Sequence, residues 1–85
     1  MPKVFWADKP KILTEGLPVA IRREIERREA LLRSFPEMYA VVRSGRYRGK
    51  RRFTVGRQYS VYYTVYGDER DCFITDVVPA RARPQ

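Results

Sequence analysis

The stretch from Lys50 to Val78 alternates polar and apolar residues with a period of two and is broken by two turn segments, Gly56-Arg57-Gln58 and Gly67-Asp68-Glu69-Arg70. Side chains of a strand point alternately to opposite faces, so such a run is a set of half-buried strands and cannot be an amphipathic helix. Phe53 and Val55 share one face of the first segment, with Arg52 and Thr54 on the other. Tyr59, Val61, Tyr63 and Val65 share one face of the second, opposite Ser60, Tyr62, Thr64 and Tyr66. The third, Cys72 to Val78, ends at Pro79. Tight turns join the three, which predicts an antiparallel meander. The core list on this reading is Phe53, Val55, Tyr59, Val61, Tyr63, Phe73 and Val77.

The preceding residues supply what covers that meander. Lys3 to Trp6 is a short strand with Val4 and Trp6 on one face, and Asp8 is placed to cap a short helix from about Lys9 to Glu15. Gly16 and Pro18 interrupt the helical pattern, because proline cannot donate within a helix and restricts the residue before it. A longer helix follows from Pro18 to Ser34, with Ile21, Ile25 and Leu32 as its apolar stripe and Arg28 at the margin. Glu24–Arg27, Glu24–Arg28 and Glu29–Arg33 stand at pairing distance along it. Pro36 stops this helix, and Met38 to Val42 is a strand or a buried connector. The order strand, helix, helix, meander predicts one α+β domain over residues 1–85, with the helices on one sheet face and the other face open.

Charge locates the open face's partner. The protein has 85 residues and a net charge of +8, and between Met38 and Gly67 there are seven basic residues and no acidic one. A block of this sign favours an anionic partner. The nucleic-acid-binding candidates are Arg46, Arg48, Lys50, Arg51, Arg52 and Arg83, with Tyr62 and Tyr66 offering stacking faces. No histidine is present, and the one cysteine, Cys72, falls in a strand and reads as a small core residue. A Ser/His/Asp set, an intrachain disulfide and a zinc quartet are therefore excluded. No glycine loop stands between a strand and a helix, so nucleotide-binding readings fail. The Asp68, Glu69 and Asp71 group has too few ligands for a hard cation, and no metal or cofactor is expected. No apolar run is long enough to span a bilayer, so a cytoplasmic location is expected.

What chemistry such residues can support is narrow. Cleavage of RNA by its own 2′-hydroxyl requires positioning and stabilisation of phosphorane charge, with neither metal nor histidine. Lys50, a tyrosine such as Tyr62, or a carboxylate would have to supply the acid and base.

The chain resembles the RelE/ParE toxin superfamily of bacterial type II toxin–antitoxin systems. The resemblance is carried by Lys3-Val4-Phe5-Trp6, the Leu17-Pro18 junction, the second helix ending at Phe35-Pro36, Arg52-Phe53-Thr54-Val55-Gly56, Gln58-Tyr59-Ser60-Val61-Tyr62-Tyr63, and the last strand leading to Pro79-Ala80-Arg81. It implies a compact toxin neutralised by an acidic cognate antitoxin. RelE-like members cut mRNA in the ribosome and ParE-like members inhibit DNA gyrase; a non-catalytic basic RNA-binding module is the third reading. By position the resemblance assigns catalytic roles to Arg52 and Arg81, with Lys50 and Arg57 as further candidates. The chain departs from the pattern at Thr54 and Ser60, where arginines are usual, and has no counterpart of the tyrosine found near the C-terminus of RNA-cleaving members, the last residues being Ala82-Arg83-Pro84-Gln85.

Overall fold

The computed structural model describes residues 1–80. Its elements are β1 (Val4–Trp6), α1 (Asp8–Glu15), α2 (Val19–Ser34), β2 (Arg51–Val55), β3 (Tyr59–Tyr66) and β4 (Asp71–Pro79). The four strands form one sheet in the order β1-β4-β3-β2. β2, β3 and β4 make the expected antiparallel meander, while β1 pairs with β4 in parallel, Val4 opposite Cys72 and Trp6 opposite Ile74. The expected α+β architecture is the observed one.

The two proline-bearing junctions set the helices. Gly16 closes α1 by donating its N–H to the Leu13 carbonyl, and Leu17 N–H follows onto Thr14. Pro18 stands at the N-cap of α2, its carbonyl accepting from Ile21 and Arg22 at 3.0 Å each. The cap of α1 is Ala7 and not Asp8; it makes no side-chain capping bond, and Asp8 sits inside the first turn, where its charge meets the helix N-terminus favourably.

The core lies between α2 and the sheet. Ile25 and Leu32 descend onto Phe53, Val55, Val61, Tyr63, Cys72, Ile74 and Val77, with Ile21, Trp6, Tyr39 and Tyr59 at the rim. Burial pushes the Cys72 thiol up to about 11, and its sulfur serves as packing volume. Tyr63 is wholly buried, and its hydroxyl donates to the Pro36 carbonyl at 2.9 Å, so the phenol carries its own partner into the core. Arg28 is not extended into solvent as its marginal position suggested. Its guanidinium lies 5.4 Å from the Phe53 ring centroid and 5.7 Å from that of Tyr39, and donates to Glu24 and the Tyr39 hydroxyl. All three expected helix pairs form, and the hydrogen bonds from Arg27 and then Arg28 hold Glu24 at about 2.

One expectation about the core fails for a local reason. Phe73 lies on the open face, while Ile74 takes the core position beside it. The register between β3 and β4 shifts after Tyr62, which pairs with Asp76, whereas Tyr63 pairs with Ile74. Thr75 is thus an extra residue, a β-bulge that reverses the alternation of β4 midway. Ile74 and Val77 can both face α2 only because of it.

Gly56 opens the β2–β3 turn at φ +59, and a Cβ placed there would come within 2.9 Å of Ile21 Cδ1. Gly56→Ala combines left-handed strain with that contact and is expected to destabilise the fold by roughly 1–2 kcal/mol, read as a lower urea midpoint at unchanged slope.

Candidate nucleic-acid interface

Pairing across the sheet defines the open face row by row. Arg52 of β2 stands beside Tyr62 of β3, which stands beside Asp76 of β4. The next row is Thr54, Ser60 and Val78. The two positions where the resemblance leads one to expect arginines are therefore direct neighbours on this face, occupied by small hydroxyl side chains.

Lys50 precedes β2 and reaches across to β4. Its Nζ donates to Thr75 Oγ1 at 2.7 Å and to Asp76 Oδ2 at 3.0 Å, and Thr75 Oγ1 donates to the same carboxylate at 2.8 Å. The bulge matters here, since it supplies two consecutive hydrogen-bonding side chains at one end of the row. Burial works against charge on Asp76, but the hydrogen bonds from Lys50 and Thr75 and the charges of Lys50 and Arg46 outweigh it, leaving its carboxyl below the usual range. The group is a fixed ammonium–carboxylate pair at the centre of a basic surface.

The segment between Val41 and Arg51 folds over this pair. Val42 and Lys50 close it, Val42 N–H donating to the Lys50 carbonyl at 2.7 Å and Gly49 N–H to Val42 at 2.9 Å. Gly45 and Gly49, both at positive φ, turn the loop within that closure. Its tip lays Tyr47 flat on Tyr62, with ring centroids 3.9 Å apart and planes 14° from parallel. Tyr62 is consequently only 8% exposed although it faces outward.

The candidate residues divide among different places. Lys50 and Arg52 belong to the central row, and the exposed Arg46 and Arg48 lie on the loop beside it. Arg57 occupies the β2–β3 turn at φ 56, beyond the end of β2 at Val55 and away from Arg52 near its start. Ala80 donates its N–H to the Gln58 carbonyl, so the chain leaves β4 beside that turn. Arg81 and Arg83 lie outside the described residues. Among the described residues no three of His, Cys, Asp and Glu gather as a metal site would require, and no helix is long and apolar enough to cross a membrane.

Arg51 is the exception among the basic candidates. Strand alternation turns it to the helix side opposite Tyr63, where its guanidinium donates to the carbonyls of Tyr39 at 2.7 Å and Glu37 at 3.2 Å. Glu37 also pairs with Arg70, tying the end of the α2 connector to the β3–β4 turn. Arg51 thus clamps structure and does not present itself to an anion. Arg51→Ala is expected to lower stability by about 1–3 kcal/mol, because bonds from a charged donor to two carbonyls are lost, whereas Arg52→Ala should stay within about 0.5 kcal/mol. Parallel urea titrations of the two variants check the contrast.

Three contributors escaped sequence reasoning: Tyr47, Thr75 and Asp76. For the last two a signal existed, since a pair of consecutive polar residues inside an otherwise apolar strand breaks the alternation and marks a bulge. The position of Tyr47 depends on how a glycine-flanked loop closes, which composition does not encode.

A four-stranded mixed sheet carries a helical hairpin on one face and leaves a basic, tyrosine-bearing face open. Its topology matches the crystal structure of the isolated E. coli RelE toxin, P21 form, with a TM-score of 0.80 over 98% of this chain and 88% of that one, at 13% sequence identity. The likeness at that identity is one of fold. No protein-family model and no curated protein matches the sequence significantly.

Proposed function

We propose that the chain is the toxin of a type II toxin–antitoxin pair and acts as a metal-independent endoribonuclease on mRNA at the ribosome. The observation that carries this reading is the row Arg52–Tyr62–Asp76 with Lys50 fixed upon it, on the sheet face that the helices leave open. The fold likeness to a protein named as a toxin supports the first half of the proposal, and the charge of this face supports the second.

In the reaction the RNA 2′-hydroxyl attacks the adjacent phosphorus and the 5′-oxygen departs, leaving a 2′,3′-cyclic phosphate and a 5′-hydroxyl. Arg52 neutralises the non-bridging oxygens as negative charge builds. Lys50, an ammonium donating to Asp76, is placed as cation and proton donor to the leaving oxygen. Asp76 is the adjacent proton acceptor, but its lowered pKa makes it a weak base, so charge stabilisation carries the larger share of the rate. Arg57, on the β2–β3 turn, and Arg81 add phosphate binding and transition-state charge stabilisation. The expected partners are mRNA and ribosome in the cytoplasm and an acidic cognate antitoxin that covers the basic surface.

Induction of the chain in bacteria without an antitoxin tests this. Growth arrest with mRNA ends that accept the cyclic-phosphate assignment supports it. Arrest with intact mRNA and blocked supercoiling by purified gyrase would move the chain to the gyrase-inhibitor reading. RNA binding without arrest would reduce it to a binding module.

A further inference from the structure

We propose that Tyr47 is a nucleobase-stacking site, a ring held ready by the loop so that a base of single-stranded RNA adds to it as the third layer of a stack. The inference rests on the RNA-binding reading of the open face and assigns a role to a residue outside the catalytic row. One face of the ring is already spoken for, lying 3.9 Å from Tyr62 and nearly parallel to it. A flat group joining the stack therefore meets the opposite face. The ring is half-buried on a loop closed by four backbone hydrogen bonds, among them Arg48 N–H to Gly45 and Lys50 N–H to Tyr47, so its orientation is set before any ligand arrives. Two cations lie over the ring, the Arg46 guanidinium carbon 5.7 Å and the Lys50 ammonium 5.8 Å from its centroid, and an incoming base takes up the stack by displacing the side chain of the exposed Arg46 towards its phosphates. A base on the ring thus brings its phosphates among Arg46, Lys50 and Arg48 while its π-face is satisfied. Anions lacking a flat apolar surface would use the same charges and leave the ring idle, which is why a nucleobase is the ligand class that fits both features.

Such a platform reads flatness and not base identity, because every base has a π-face. It sets how tightly the strand is held beside Arg52, with little sequence preference.

The test uses the purified full-length chain and two short single-stranded oligonucleotides with 2′-O-methyl sugars, which cannot be cut. They carry equal numbers of phosphates, one with bases and one abasic. The base-bearing strand is expected to bind about five- to a hundredfold more tightly, the range that one base–aromatic stack contributes. Tyr47→Ala should lose most of that preference while keeping the steep salt dependence of the phosphate contacts, and Tyr47→Phe should retain it. In Tyr47→Trp the added indole emission should be quenched by the base-bearing strand and not by the abasic one, a direct readout of the stack that does not depend on a truncation. Equal affinity for the two strands, or binding to Tyr47→Trp without quenching, overturns the stacking role while leaving a phosphate-binding face intact. Failure of both strands to bind overturns the RNA reading and the inference with it.

Discussion

Arg52→Ala is expected to cut the rate of mRNA cleavage on programmed ribosomes by about 10²–10³-fold, the usual cost of removing a group that stabilises charge only in the transition state. The side chain is exposed on the open face and makes no ion pair among the described residues, so its removal should leave the urea midpoint nearly unchanged. Lys50→Ala should slow cleavage comparably but also loosen the fold, because among the described residues Asp76 then keeps only the Thr75 hydroxyl as side-chain partner in a half-buried setting. The pair of variants separates chemistry from stability: one loses rate alone, the other loses both. Expressed in cells at equal levels, neither should arrest growth. Cleavage at wild-type rate by either variant would remove it from the mechanism.

Leu32→Ala is expected to lower stability by about 2–5 kcal/mol. Leu32 is 0% exposed, and together with Ile25 it forms the fully buried contact of α2 with the sheet. The facing side chains belong to strands held in register by their ladders and cannot collapse into the space. For a domain of 60–100 residues each kcal/mol lowers the melting temperature by about 4–8 °C, so a drop of at least about 8 °C is expected in calorimetry. A shift of only a few degrees would mean that α2 settles onto the sheet, and that its packing is softer than the burial indicates.

The parts of this architecture that could be read from sequence are those governed by one periodicity at a time. Alternation along β2 and β3 correctly assigned Phe53, Val55, Val61 and Tyr63 to the core and Arg52 and Tyr62 to the opposite face. Helical spacing correctly paired Glu24 with Arg27 and Arg28. What escaped were places where a second rule intervenes. In β4 a bulge reverses the phase, so Phe73 exchanges places with Ile74. Arg51 and Arg52 are adjacent and chemically alike, yet the pleat sends one to backbone carbonyls beneath the sheet and the other to solvent. Net charge treats the two alike; the structure leaves Arg52 exposed and ties Arg51 to backbone carbonyls. Tyr62 was read as facing outward, as it does, but its burial comes from Tyr47, fifteen residues earlier in the chain and brought there by loop closure.

Thr75 is the residue that the β3–β4 ladder skips. With it, Ile74 and Val77 both reach α2 while Asp76 turns outward to meet Lys50. Remove it, and plain alternation still places Ile74 and Val77 inward and Asp76 outward; what the strand loses is the hydroxyl that both Lys50 and Asp76 engage. Descendants of this sequence can thus drop one residue at the bulge and keep both the interior and the Lys50–Asp76 pair, whereas a deletion elsewhere in β4 would shift one of them. The bulge is the point at which the length of this strand is free to change.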